Sequence, residues 1–130
     1  MIEQTELVVI KWHYHIPVNS IAAAEKISQY TALDVMKKRA ANKKGIACRF
    51  SSRFVVGKET ILEYVTEDTY VIDLADVIDK QELLTMIRNS FSKFKETFDA
   101  RKTGTLLQHT SLKPLDESRI DTDAILPLLN

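Results

Sequence analysis

A single cysteine, Cys48, leaves no partner for an internal disulfide, which excludes a disulfide scaffold and points to a reducing, cytoplasmic setting. Glycine and proline are equally scarce at three each, so Gly- or Pro-rich linkers and low-complexity segments are excluded, and no internal repeat is present. Neither sign of charge is in excess: 18 Lys plus Arg balance 18 Asp plus Glu, which argues against whole-domain attraction to nucleic acid or anionic lipid. No apolar run approaches the roughly 18 residues of a membrane span. The opening MIEQTE carries acids where a secretory signal has a positive start, so no signal peptide is expected.

Catalytic signatures are also missing. There is no glycine-rich phosphate loop, serine-nucleophile elbow or metalloprotease motif, so no enzyme activity, catalytic residue or cofactor is expected. His13 and His15 lie two apart on one strand face and His109 could join them, but no carboxylate or Cys stands at ligand spacing; the metal expectation is none. Cys48 lies between Ile46 and Phe50 on an apolar face, where a thiol behaves as a small hydrophobe. Asp116, Glu117, Asp121 and Asp123 lack the glycine and terminal Glu of a calcium loop and are expected to cap helices. The basic cluster Lys37, Lys38, Arg39, Lys43, Lys44 has no interleaved aromatic to stack on bases; it reads as a solvated helix end rather than a nucleic-acid site.

What is present is amphipathic patterning. From Asp79 to Lys102 apolar residues fall at Leu84, Ile87, Phe91, Phe94 and Phe98, one stripe on a long helix. Asp79 and Glu82 form a capping box, Ile78 can staple onto Leu83, and Gly104 can end the helix. Glu6 to Ile16 alternates as a strand, with Val8, Ile10, Trp12, Tyr14 and Ile16 on one face, and Pro17 closes it. Asn19 or Ser20 caps a helical insertion over residues 21–44, rich in Ala, Lys and Met; its apolar residues recur every three, so a break near Tyr30 is expected and part could be a strand. Ile46 to Val56 and Thr60 to Thr66 form a hairpin through Gly57-Lys58, and Tyr70 to Leu74 is a fourth strand or a continuation of the third. Asp121 or Thr122 caps a short last helix that Pro127 keeps short.

The fold class expected is α+β: one domain over residues 1–130, with a small antiparallel sheet of three to four strands packed against a long helix, a helical insertion after the first strand and a short C-terminal helix. Most of the aromatic set is expected in the core. The remainder suits a subunit interface or a groove for an apolar partner. The stripe Leu84, Ile87, Phe91, Phe94, Phe98 is the candidate seam of a homo-oligomer, dimer or tetramer.

The C-terminal half, from Tyr64 through the long helix with Phe91 and Phe94, then Gly104-Thr105-Leu106, Leu112-Lys113-Pro114-Leu115, Ile120 and Ala124-Ile125-Leu126, resembles the SecB-like export chaperones. The resemblance implies a tetramer of two dimers that holds unfolded or non-native polypeptide in grooves without ATP. The groove positions it implies are Trp12, Tyr14, Phe50, Phe54, Leu126, Leu128 and Leu129. It also implies docking on the export motor SecA through acidic surface. Here the chain departs from the family pattern, being neutral and carrying Leu115-Asp116-Glu117-Ser118-Arg119-Ile120 in place of a proline-asparagine-phenylalanine element. The competing expectation is an oligomeric assembly module of the same fold with one folded partner and no catalysis.

Overall fold

A computed structural model describes residues 3–4, 6–16 and 26–130. Among the described residues five strands, β1 (Glu3–Gln4), β2 (Val8–Tyr14), β3 (Ile27–Ala40), β4 (Lys43–Val56) and β5 (Glu59–Asp73), precede two α-helices, α1 (Lys80–Arg101) and α2 (Thr122–Leu129). All strand pairings are antiparallel. β1 and β2 share one edge of β5, so the sheet is four strands wide, in the order β1/β2, β5, β4, β3. This is the α+β architecture expected, with both helices packed on the sheet.

The expected helical insertion is corrected over its described part. Residues 27–40 are a 14-residue strand paired along its whole length with β4, from Ile27 opposite Val56 to Ala40 opposite Lys43. The three-residue spacing of Ile27, Tyr30 and Leu33 places these side chains on alternate faces of a strand. Ile27, Thr31, Leu33 and Val35 share the face that packs toward the helices, and cross-strand pairing with burial overrides the helical preference of Ala, Lys and Met. The expected cap at Asn19 or Ser20, with Ile21 and Ala24, lies outside the described residues. The chain reverses into β4 through Ala41, whose φ of 52° is left-handed.

β2 is a strand as expected, but its faces are reassigned. The pairing runs Val9 with Thr66, then Lys11 with Val65 and Trp12 with Tyr64, so the register shifts between Val9 and Lys11. One extra residue in one strand swaps the faces of everything beyond it. Val9, Trp12 and Tyr14 therefore pack against the core, while Val8, Ile10 and Ile16 are exposed.

The Gly57-Lys58 hairpin forms, with Gly57 at φ 59°. β5 then continues without interruption through Glu67 and Asp68 to Asp73. Glu67, on the face turned from the helices, accepts from Lys38 and Arg49 at 2.9 and 3.2 Å. Asp68 is wholly buried beneath α1, accepting from Gln4 at 2.7 Å and Ser90 at 2.9 Å, with the Lys93 ammonium 3.6 Å away. Both bonds fall on Oδ2, and Oδ1 has only the Lys93 ammonium nearby, so the cost of burying this side chain is offset in part.

α1 begins as the sequence indicates. The Glu82 amide donates to Asp79 at 2.8 Å and the Asp79 amide to Glu82 at 3.3 Å, while Ile78 and Leu83 are both buried. Its apolar stripe meets the sheet through rings: Tyr64 stacks on Phe94 at 4.5 Å, Phe54 on Phe98 at 5.2 Å, and Trp12 meets Tyr64 edge-on at 5.2 Å. The Tyr64 and Tyr70 hydroxyls donate to the α1 carbonyls of Phe94 and Met86 at 2.8 and 3.1 Å, satisfying both buried phenols. α2 is held at its end by Lys44, only 4% exposed, whose ammonium donates to the Leu129 carbonyl at 3.0 Å. The Asn130 side chain bonds both the N–H and the C=O of Ile78.

Candidate functional site

β3 pairs only with β4 among the described residues, so one side of its backbone faces outward with no strand partner. Alternation along β3 turns Leu33 toward the helices and Tyr30 away. The segment leaving α1 returns past this edge, and α2 follows. Between them lies a groove of about 580 Å³. Phe50 and Phe91 form its floor, in edge-to-face contact at 5.4 Å, and Leu33, Leu115, Ile120 and Ile125 line its sides. All but Phe50 are partly exposed. The charges on the rim are largely spent locally. Asp116 accepts from Ser118 and lies 3.7 Å from Arg119, and Asp121 caps α2 by accepting from Ala124. The Ser118 bonds hold the Asp116 carboxyl below its ordinary range.

Two hydrogen bonds fix the near wall. The Gln29 side-chain amide donates to the Ser111 carbonyl at 2.7 Å, and its oxygen accepts from the Lys113 N–H at 3.0 Å. The segment 111–113 is thereby tied to β3 with Leu112 buried beneath it.

The positions that the family resemblance indicated as a groove are not brought together. Phe50 floors the groove, Leu126 is half-buried against the core, and Leu128 is exposed on α2. Phe54 and Leu129 are wholly buried in the core. Trp12 and Tyr14 lie on β2, on the far side of β5 and β4, about 14 Å from β3 at ordinary strand spacing. Tyr14 accepts there from the Leu106 amide, and the Arg101 guanidinium lies over the Trp12 ring at 5.7 Å. Of the candidate seam, Ile87, Phe94 and Phe98 are wholly buried against the chain's own sheet, which leaves Leu84 and Phe91 partly accessible. The groove residues sequence reasoning missed are Gln29, Leu33, Leu115, Ile120 and Ile125. The signal available was the alternation along 27–35.

Among the described residues no group of three His, Cys, Asp or Glu is placed to hold a metal, and no helix is long and apolar enough to cross a membrane. His15 lies 3.7 Å from Glu59. The basic cluster is corrected from a helix end to the end of the β3–β4 hairpin. There Lys38 pairs with Glu67, Lys43 with Asp73, and Lys44 is buried.

Burial governs the titration of the core. It pushes the Cys48 thiol up to about 11, with Asp68 adding to the rise and a Ser90 bond opposing it. Burial also raises Tyr70 to about 12 and Tyr64 further above the ordinary phenol range. The folded chain thus holds these protons more tightly than the unfolded chain. The associated stability is fully present below about pH 9 and is lost as pH rises through 11 and beyond. Cys48 alone accounts for about 2–3 kcal/mol, because each tenfold gain in proton affinity on folding is worth about 1.4 kcal/mol. The urea midpoint should therefore fall steadily between pH 9 and pH 11, and by less in Cys48→Ala; a flat profile would contradict the buried placement of these groups.

The fold is SecB-like. The chain superposes on the SecB-like chaperone of Mycobacterium tuberculosis, solved in complex with a ChAD peptide from the HigA1 antitoxin. The TM-score is 0.60 at 10% identity, over 88% of this chain and 91% of that one. A protein of unknown function from Streptococcus agalactiae aligns over 89% of this chain and 97% of its own, with a TM-score of 0.48 and 11% identity. No protein-family profile matches the sequence, and no curated protein matches it.

Proposed function

We propose that this protein is an ATP-independent, polypeptide-binding chaperone that holds non-native segments in the groove beside β3. One observation carries this: a sheet edge without a strand partner among the described residues runs alongside an apolar trough floored by Phe50 and Phe91. A chain without fixed structure offers two things to a binder, its main-chain N–H and C=O groups and scattered apolar side chains. A strand edge receives the first and an apolar trough the second. The peptide bound to the mycobacterial SecB-like chaperone supports a polypeptide as occupant.

The proposal includes assembly into a cytoplasmic homo-oligomer, for which the exposed Val8, Ile10, Tyr30, Val77 and Leu128 offer apolar surface. No catalytic step, cofactor or nucleic acid enters it. Delivery to an export motor through acidic surface is left out because the charges balance.

The test is suppression of light scattering when a chemically unfolded test protein is diluted into buffer. Near-stoichiometric amounts should abolish aggregation without nucleotide. Absence of protection at any ratio, together with capture of one folded partner at fixed stoichiometry, would select the assembly-module alternative.

A further inference from the structure

Resting on the polypeptide groove proposed above, we infer that Gln29 is the positioning residue of that groove: its side-chain amide stands in for a neighbouring strand, holding the 111–115 wall open at a fixed width and closing one end of the trough. The bonds go to the carbonyl of Ser111 and the N–H of Lys113, the two groups flanking Leu112. A residue in a parallel strand opposite Leu112 would make the same pair of bonds, one donated and one accepted, so a primary amide is the side chain able to reproduce the pattern.

The placement has consequences for the ligand. Gln29 lies on the helix-facing side of β3, two residues before Thr31 and four before Leu33, which lines the groove. With the amide bridging strand to wall, an extended segment seated over Leu33, Phe50 and Phe91 has to leave the sheet edge before reaching residue 29. The ligand is therefore a short apolar stretch of a longer chain, since at about 3.3 Å per residue the reach from Gln29 to Leu33 seats only four or five residues. Lys113, the residue whose N–H closes the clamp, is followed by Pro114 and Leu115, so the same two bonds set where the apolar wall begins.

The experiment compares the wild type with Gln29→Leu, which removes both bonds at similar volume, and with Gln29→Glu, which keeps the acceptor for Lys113 and loses the donor to Ser111. Amide hydrogen exchange reports the clamp, and anisotropy of a fluorescein-labelled, apolar-rich unfolded peptide reports the groove. In Gln29→Leu the Lys113 amide should exchange at least tenfold faster with α1 protection unchanged, and peptide affinity should drop about five- to tenfold. Gln29→Glu should retain Lys113 protection and recover part of the affinity. Unchanged Lys113 exchange in Gln29→Leu overturns the clamp. Lost protection with undiminished affinity overturns its role in the groove. A wild type that binds no peptide removes the chaperone proposal itself, and the exchange measurement still decides whether the clamp exists.

Discussion

Replacing Leu115 and Ile120 together by serine is expected to weaken binding of an unfolded peptide by at least tenfold while the domain stays folded. Both side chains are half-buried walls of the trough and face its open space. Complete burial of such a side chain contributes about 1.5–3 kcal/mol. A bound segment completes a burial already half made, so each wall residue supplies roughly 1 kcal/mol and the pair about 2, or some thirtyfold in affinity. The cost to folding is similar in size, which a domain of ordinary stability, about 5–15 kcal/mol, survives. Peptide anisotropy measures the loss and circular dichroism the intact fold. Undiminished affinity in the double variant would place the polypeptide elsewhere.

Phe94→Ala should do the reverse and destroy stability. Phe94 is wholly buried, stacked on Tyr64 at 4.5 Å and in contact with Phe50 at 5.4 Å, and Tyr64 bonds its carbonyl. Truncating such a ring leaves a cavity and costs about 3–5 kcal/mol, out of the roughly 5–15 kcal/mol expected for a domain of this size. The loss should be independent of protein concentration, because the ring packs within its own chain. A seam between subunits would behave differently: the variant would dissociate on dilution and the separated subunits would remain folded. Urea titrations at two concentrations a hundredfold apart distinguish these outcomes.

The contrast explains what was legible in the sequence. The long helix was legible there: a capping box, a staple and a stripe at three- and four-residue spacing agree, and the capping box is formed with Ile78, Leu83, Ile87, Phe94 and Phe98 buried. The stripe does not say what it packs against, since one apolar face serves a second copy or the chain's own sheet equally well. Here the sheet takes Ile87, Phe94 and Phe98. The β4–β5 hairpin was legible because Gly57 marks a turn between two alternating runs.

β3 was obscured because its composition favours a helix, and its partner β4 supplies the pairing that overrides this preference. The facing of Trp12 and Ile10 was obscured by a one-residue register shift, which no alternation pattern announces. Trp12 and Tyr14 stand with Phe50 in the groove that the resemblance implies, although β5 lies between their strands. Gln29 was invisible for another reason: its partners are main-chain atoms 82 and 84 positions away.

The central claim is that a non-native segment sits between the β3 edge and the wall formed by residues 113–125. Hydrogen exchange of the whole chain, with and without saturating unfolded peptide, tests this most directly. Slowed exchange should be confined to the outward-facing amides of residues 31–34 and to the amides of residues 115–121. Slowed exchange centred instead on β2, around Trp12 and Tyr14, with β3 unaffected, would contradict the account.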